Sequence, residues 1–167
     1  MAGEPGIGKT RLVSELAHRM HAAGCSIVVG RCDEELAVGY RPWTEALEPV
    51  LEALDPDHLA ALPPEHLGEL CRLVPSLARR VDSPAADLAV DADTRHAMIV
   101  DAVVALLRVA GTVAVVLDDM HWIDQRSLQL VRRVLADVDL QIKLPGKYFQ
   151  TVYRMPFYNP RIDWMRD

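Results

Sequence analysis

The chain has 167 residues, half of them hydrophobic and a quarter charged, with a net charge of −6. That composition excludes a disordered chain, and the length suits one domain with a sizeable core. The negative balance gives no long-range pull toward nucleic acid or an anionic membrane.

No apolar run reaches about 18 residues, so no transmembrane span is expected. No basic-then-apolar leader opens the sequence, and the expected location is cytoplasmic. Cys25, Cys32 and Cys71 contain no C-x-x-C pair. They read as reduced core thiols, not as a disulfide scaffold or a zinc site.

The chain begins on its most informative stretch, Gly3-Glu4-Pro5-Gly6-Ile7-Gly8-Lys9-Thr10. It has the form G-x-x-x-x-G-K-[ST], the phosphate-binding P-loop. The glycines let backbone N–H groups approach a phosphate closely. The helix that follows aims its positive dipole end at the same place. Lys9 would meet the β- and γ-phosphates, and Thr10 would offer its hydroxyl to Mg²⁺. Arg11 completes the candidate cofactor-binding set. A P-loop should follow a buried strand, yet only Met1 and Ala2 precede Gly3.

Residues 9–23 read as a helix, with Leu12, Leu16 and Met20 at four-residue spacing and Val13 and Ala17 beside them. Gly24 should stop it. Residues 26–30 form a β-branched run and read as a buried strand. Trp43, Leu47, Val50, Leu51 and Leu54 mark another helix, which Pro49 should kink or divide. Asp55-Pro56 should cap and start a short helix reaching Leu62. Pro64 should start a further one ending near Val74-Pro75. Residues 76–90, rich in Ala, Asp and Pro, read as an exposed connection. This middle region is a helical insertion between strands. His58, His66 and His96 read as surface or satisfied core side chains.

Asp93 is a candidate N-cap for a largely buried helix through Ala110, with Ile99, Val103 and Leu106 on its inner stripe. Gly111 should end it. Residues 113–117, Val-Ala-Val-Val-Leu, are uninterruptedly apolar and read as a central parallel strand covered on both faces. This strand should neighbour residues 26–30 in one parallel sheet.

That strand runs into Asp118-Asp119, the Walker B pattern. In open α/β sheets the carboxyl ends of the strands face the ligand crevice. Asp118 would hold Mg²⁺ across from Thr10, and Asp119 would orient or deprotonate an attacking water. The plainer reading is that the two acids begin a turn. Asp124 should cap a helix over residues 125–138, with Leu128, Val131 and Leu135 inward. His121 reads either as a phosphate contact or as a loop residue packed on Trp122.

Together, the P-loop with its Arg-Leu-Val continuation and Leu-Asp-Asp-Met-His-Trp-Ile-Asp resemble the ATPase domain of bacterial signalling regulators. These are the STAND-class, AAA-like ATPases, including LuxR-type and MalT-like transcriptional regulators. Arg31-Cys32, Tyr40-Arg41-Pro42-Trp43 and the helix around Arg95 are similar to that group as well. The resemblance covers residues 1–138. It implies an α/β fold, a partial P-loop NTPase with a parallel sheet flanked by helices. It also implies ATP and Mg²⁺ as cofactors, and ATP/ADP exchange as the switch of a regulator. No helix-turn-helix or other direct DNA-binding element is read in this chain, and no membrane partner.

Two departures from the family shape the functional expectation. The strand before the P-loop is missing, and residues 139–167 lack the family's sensor pattern. That tail carries Lys143 and Lys147, the only lysines besides Lys9, and both phenylalanines. It is read as an unassigned segment unlike the family. The expectation is therefore a fragment that binds ATP, hydrolyses it poorly and tends to self-associate through exposed apolar edges. The alternatives are a remnant or interaction module that binds no nucleotide, and a small-molecule P-loop kinase.

Overall fold

The structure, a computed structural model, describes residues 9–34, 39–81 and 89–136. Helix α1, Lys9–Ala22, leads through a tight turn into strand β1, Ser26–Arg31. Gly24 closes the helix at φ 87°, a left-handed conformation that costs glycine no Cβ clash. Among the described residues four α-helices follow before the next strand: α2, Arg41–Ala53; α3, Pro56–Ala60; α4, Pro64–Leu73; and α5, Ala92–Val109. Strand β2, Val113–Asp118, then leads by a 3₁₀ turn, Met120–Trp122, to α6, Gln125–Ala136.

Among the described residues the sheet has two strands. They run parallel, with Ser26 opposite Val113 and Arg31 opposite Asp118. This is the expected pairing. The connection between the strands is long, but its helices let it cross over as parallel strands require.

Among the described residues the sheet is not a two-sided sandwich. Along β1, Val28 and Gly30 are buried, while Ser26, Val29 and Arg31 are exposed. All five apolar residues of β2 are half-buried. Neither strand is thus covered on both faces as the apolar runs suggested. Val28, Val113, Val115 and Leu117 pack on the core, and side chains alternate across a sheet. Val29, on the opposite face, stays 56% exposed.

The core lies in the helical layer on the covered face. Trp43, Leu47 and Leu51 of α2, Leu70 of α4, Leu106 of α5 and Leu130 of α6 are its largest fully buried side chains, with Leu77. Burying each such side chain stabilises the fold by about 1.5–3 kcal/mol relative to leaving it in water. The indole N–H of Trp43 donates to the Ser127 carbonyl at 3.1 Å, tying α2 to α6.

Several local expectations need correction. Residues 76–90 are not simply an exposed connection. Pro75–Arg79 form a 3₁₀ helix that plugs Leu77 into the core. Arg80 then donates to the carbonyls of Leu51 and Leu54, closing the C-terminus of α2. A cation suits that end of a helix dipole. Pro49 does not divide α2, which runs through it unbroken. Its missing N–H falls on an exposed side, where water can serve the orphaned carbonyl.

The N-cap of α5 is Asp91, not Asp93. Its carboxylate accepts from the N–H groups of Asp93 and Thr94 at 3.0 and 2.9 Å. In α6 the inward residues are Ser127, Leu130 and Val131. Leu128 is only half-buried, and Leu135 is exposed. In α1, Val13, Ala17 and Met20 are half-buried, while Leu12 and Leu16 are exposed. Asp55 caps α3 through the Asp57 N–H at 3.0 Å, as its Asp-Pro start predicts.

The three cysteines are free and buried, as expected of core thiols. His58 is exposed, and His96 is hydrogen-bonded to Tyr40. His66 is half-buried, and its buried Nδ1 has no hydrogen-bond partner among the described residues. No helix among the described residues is long and apolar enough to cross a membrane.

Candidate nucleotide-binding site

The carboxyl end of the two-stranded sheet gathers the polar groups. Asp118 is the last residue of β2 and is exposed. One of its carboxylate oxygens accepts from the Asp119 N–H at 3.0 Å. A carboxylate offers about four acceptor positions, so this bond leaves Asp118 capacity for a further donor or a cation.

Asp119 has φ 53° and ψ 41°, a left-handed conformation. For a residue with a Cβ this costs about 1–2 kcal/mol, less for Asp than for most. The bend turns the chain off the strand and into the 3₁₀ turn. Trp122 N–H closes that turn on the Asp119 carbonyl at 2.9 Å. His121 packs against Trp122, with ring centroids 4.9 Å apart and planes tilted by 47°. That agrees with the loop-packing reading of His121. Asp124 then caps α6, accepting from the Ser127 N–H at 2.9 Å.

On the neighbouring strand, Arg31 lies in register with Asp118. Its N–H donates to Glu45 of α2 at 3.1 Å, and Arg41 pairs with the other oxygen of Glu45 at 3.1 Å. Glu45 thus holds the free edge of β1 against α2. Gly30, one residue earlier, lies under the first turn of α2. A Cβ built there would stand 1.8 Å from the Pro42 carbonyl oxygen. These two residues were not singled out from sequence. A lone glycine inside a strand signals close backbone approach, and that signal was available.

The electrostatics of this end are negative. Burial, then the carboxylates of Asp124, Asp119, Asp118 and Glu45, push the Cys32 thiol up to about 11. Negative potential invites a cation and repels a bare phosphate. Yet no group of three or more Cys, His, Asp or Glu among the described residues would enclose a metal ion by itself. Magnesium typically takes one or two carboxylates and fills its remaining positions with water and phosphate oxygens. The donor set therefore fits Mg²⁺ brought in with a nucleotide.

Lys9 and Thr10 are the first two residues of α1, and Arg11 is exposed on its first turn. Residues 3–8, the rest of the P-loop, lie outside the described residues, as does the tail over 139–167. The C-terminus of α1 folds directly onto the start of β1: the Cys25 N–H donates to the Met20 carbonyl at 3.0 Å. A helix of 14 residues rises about 21 Å, and a strand of 6 residues about 20 Å. The helix is therefore about as long as the strand that follows it.

A model of the AAA ATPase domain matches residues 1–145. No curated protein and no solved structure matches the chain.

Proposed function

Since the chain belongs to the AAA ATPase domain family, we propose that it binds ATP with Mg²⁺ between the P-loop, residues 3–10, and Asp118. One observation carries the reading. Strand β2 ends on Asp118, which lies in register with Arg31 at the carboxyl end of the parallel pair. In open α/β sheets that end is where ligands bind. Lys9 and the loop N–H groups would hold the β- and γ-phosphates, with Arg11 beside them. Thr10 and Asp118 would hold Mg²⁺, whose charge offsets that of the phosphates. Asp119 is the candidate for orienting an attacking water.

The wider setting in this proposal is a nucleotide-controlled switch of a STAND-class or LuxR-type regulator in the cytoplasm. The support is the pair of motifs quoted above. Self-association belongs to the same proposal. It is supported by Leu12, Leu16 and Val29, which are exposed at 58%, 43% and 56%. Sedimentation across a concentration series tests it.

The nucleotide reading is tested by isothermal titration. Lys9→Ala removes a charge-assisted phosphate contact worth about 1.5–3 kcal/mol. Affinity for ATP should then fall roughly ten- to a hundredfold. Asp118→Asn should instead reduce the difference between affinities measured with Mg²⁺ and with EDTA. Unchanged ATP affinity in Lys9→Ala would refute the assignment, and a parent chain that shows no ATP binding would favour a remnant that binds no nucleotide. Phosphate release compared between the parent chain and Asp119→Asn then reports whether Asp119 acts in hydrolysis.

A further inference from the structure

A half-buried polar chain joins three elements beside this crevice. Tyr40 stands at the entry to α2 with φ 68°, left-handed although it is not glycine. Its side chain is buried. Its hydroxyl hydrogen-bonds to Nδ1 of His96 on α5. The two rings stack, with centroids 5.8 Å apart and planes 20° from parallel. Burial raises the Tyr40 pKa, and the guanidinium of Arg126, nearby in the first turn of α6, opposes it. An Arg126 N–H donates to the Ala92 carbonyl at the start of α5, at 3.2 Å.

A guanidinium only donates, so toward Arg126 the Tyr40 oxygen can serve only as an acceptor. With the Tyr40 O–H donating to His96, Nδ1 carries a lone pair and the ring is neutral, with its proton on Nε2.

The location gives the chain its consequence. Tyr40 ends the connection that leaves β1, and Arg126 follows the connection that leaves β2. Gly39 lies close to both, with the Arg126 Cδ 3.8 Å and the Asp124 carboxylate 4.0 Å from where a Cβ would be. The two connections at the carboxyl ends of the strands are therefore fastened to each other and to α5.

We propose that Arg126, Tyr40 and His96 form a proton-sensitive latch that fastens the two crevice connections to α5 and opens when His96 gains a proton. Protonation turns Nδ1 into a donor, which can hold the Tyr40 oxygen only with the bond reversed and leaves the Tyr40 hydrogen without this acceptor. It also sets an imidazolium near the Arg126 guanidinium. The charged groups around the latch are Arg126 on α6, Asp93 on α5 and Asp124 before α6. Glu69 of α4, nearby in the same helical layer, is engaged by Arg95 at 3.0 Å. Burial foremost, then Arg126, holds His96 below the ordinary histidine range, while Asp93 opposes them. A group with a lowered folded pKa contributes stability above its unfolded value, about 6.5, and loses it as pH falls through the folded value. The latch is thus closed at neutral pH and open in mild acid. It is independent of what the crevice binds.

The test is NMR on the full chain without nucleotide. The ¹⁵N shifts of His96 at pH 7.5 should report Nε2–H with an unprotonated Nδ1. Its titration should lie below the ordinary histidine value, and move up toward it in Tyr40→Phe and in Arg126→Gln. Amide protection of Thr44 and Leu128, corrected for intrinsic exchange, should fall roughly tenfold from pH 7.5 to pH 5. An Nδ1–H tautomer at neutral pH overturns the proposal. So does protection that is indifferent to pH, or a titration identical in all three proteins. The tautomer and the protection are read in the unmodified chain, so a variant that fails to fold leaves the test intact.

Discussion

Replacing Gly30 by alanine adds one methyl group at the point where α2 crosses β1. That carbon would stand 1.8 Å from the Pro42 carbonyl oxygen and 2.7 Å from the Pro42 carbonyl carbon. A relaxed non-bonded contact needs about 3.5 Å. Strand or helix must therefore retreat by about 1.5 Å. Both obstructing atoms are backbone, so no side-chain rotation relieves the clash.

The helix has little freedom to move. Glu45 ties it to Arg31, Trp43 ties it to Ser127, and Thr44 donates to the Leu73 carbonyl at 3.0 Å. Overpacking typically costs 1–3 kcal/mol and occasionally more. Gly30→Ala should fall at the upper end, about 3 kcal/mol. For a chain of this length that lowers Tm by roughly 6–12 °C. Urea unfolding followed by tryptophan fluorescence measures the loss, since Trp43 is buried. Gly111→Ala is the informative control. Its φ of 78° makes alanine strained, but nothing lies within 4 Å of the new methyl. It should cost about 1 kcal/mol. If Gly30→Ala is as stable as the parent within about 0.5 kcal/mol, the packing of α2 on β1 described above is wrong.

Three further outcomes are expected. Asp119→Gly should leave stability unchanged or raise it by up to about 1 kcal/mol, whereas Asp119→Val should cost about 1–2 kcal/mol, because only the second worsens the left-handed backbone; chemical denaturation of both decides. Hydrogen bonds from the Thr94 side chain and N–H, more than from Asp93, lower the Asp91 pKa, so its capping contribution is full above about pH 3.9 and is lost as pH falls through the lower folded value. Circular dichroism at 222 nm should therefore show an acid loss of helix that is smaller in Asp91→Ala. Arg95→Met should cost up to about 3 kcal/mol, because it removes the 3.0 Å partner of the buried Glu69 carboxylate and leaves it the longer pairing with Arg72 at 3.8 Å. Adding Glu69→Met should restore much of that loss, and a double-mutant cycle in urea measures the coupling.

Local chemistry was legible in the sequence wherever a few adjacent residues decide the outcome. The Asp55-Pro56 start of α3, the glycine stops at Gly24 and Gly111, the Asp124 cap and the apolar strand ending in Asp118 all depend on neighbours within one turn of chain. The parallel pairing of β1 and β2 followed from the alternation of helix and strand. The P-loop and Asp118 were legible as motifs for the same reason, since spacing along the chain defines them.

Coverage, register of contact and long-range polar pairing were not legible. An apolar run such as residues 113–117 states that burial is favourable, but not which faces find a partner. Only the packed structure shows a core concentrated in the helices on one face of the sheet. Leu77 and Arg80 looked like parts of a connection because no periodicity marks a single 3₁₀ turn, yet Leu77 plugs the core and Arg80 closes α2. Tyr40, His96 and Arg126 lie far apart in sequence, and no local propensity couples them. Their meeting depends on three elements docking at once. It is decided by tertiary packing, where burial makes each unpaired polar group costly enough to select its partner.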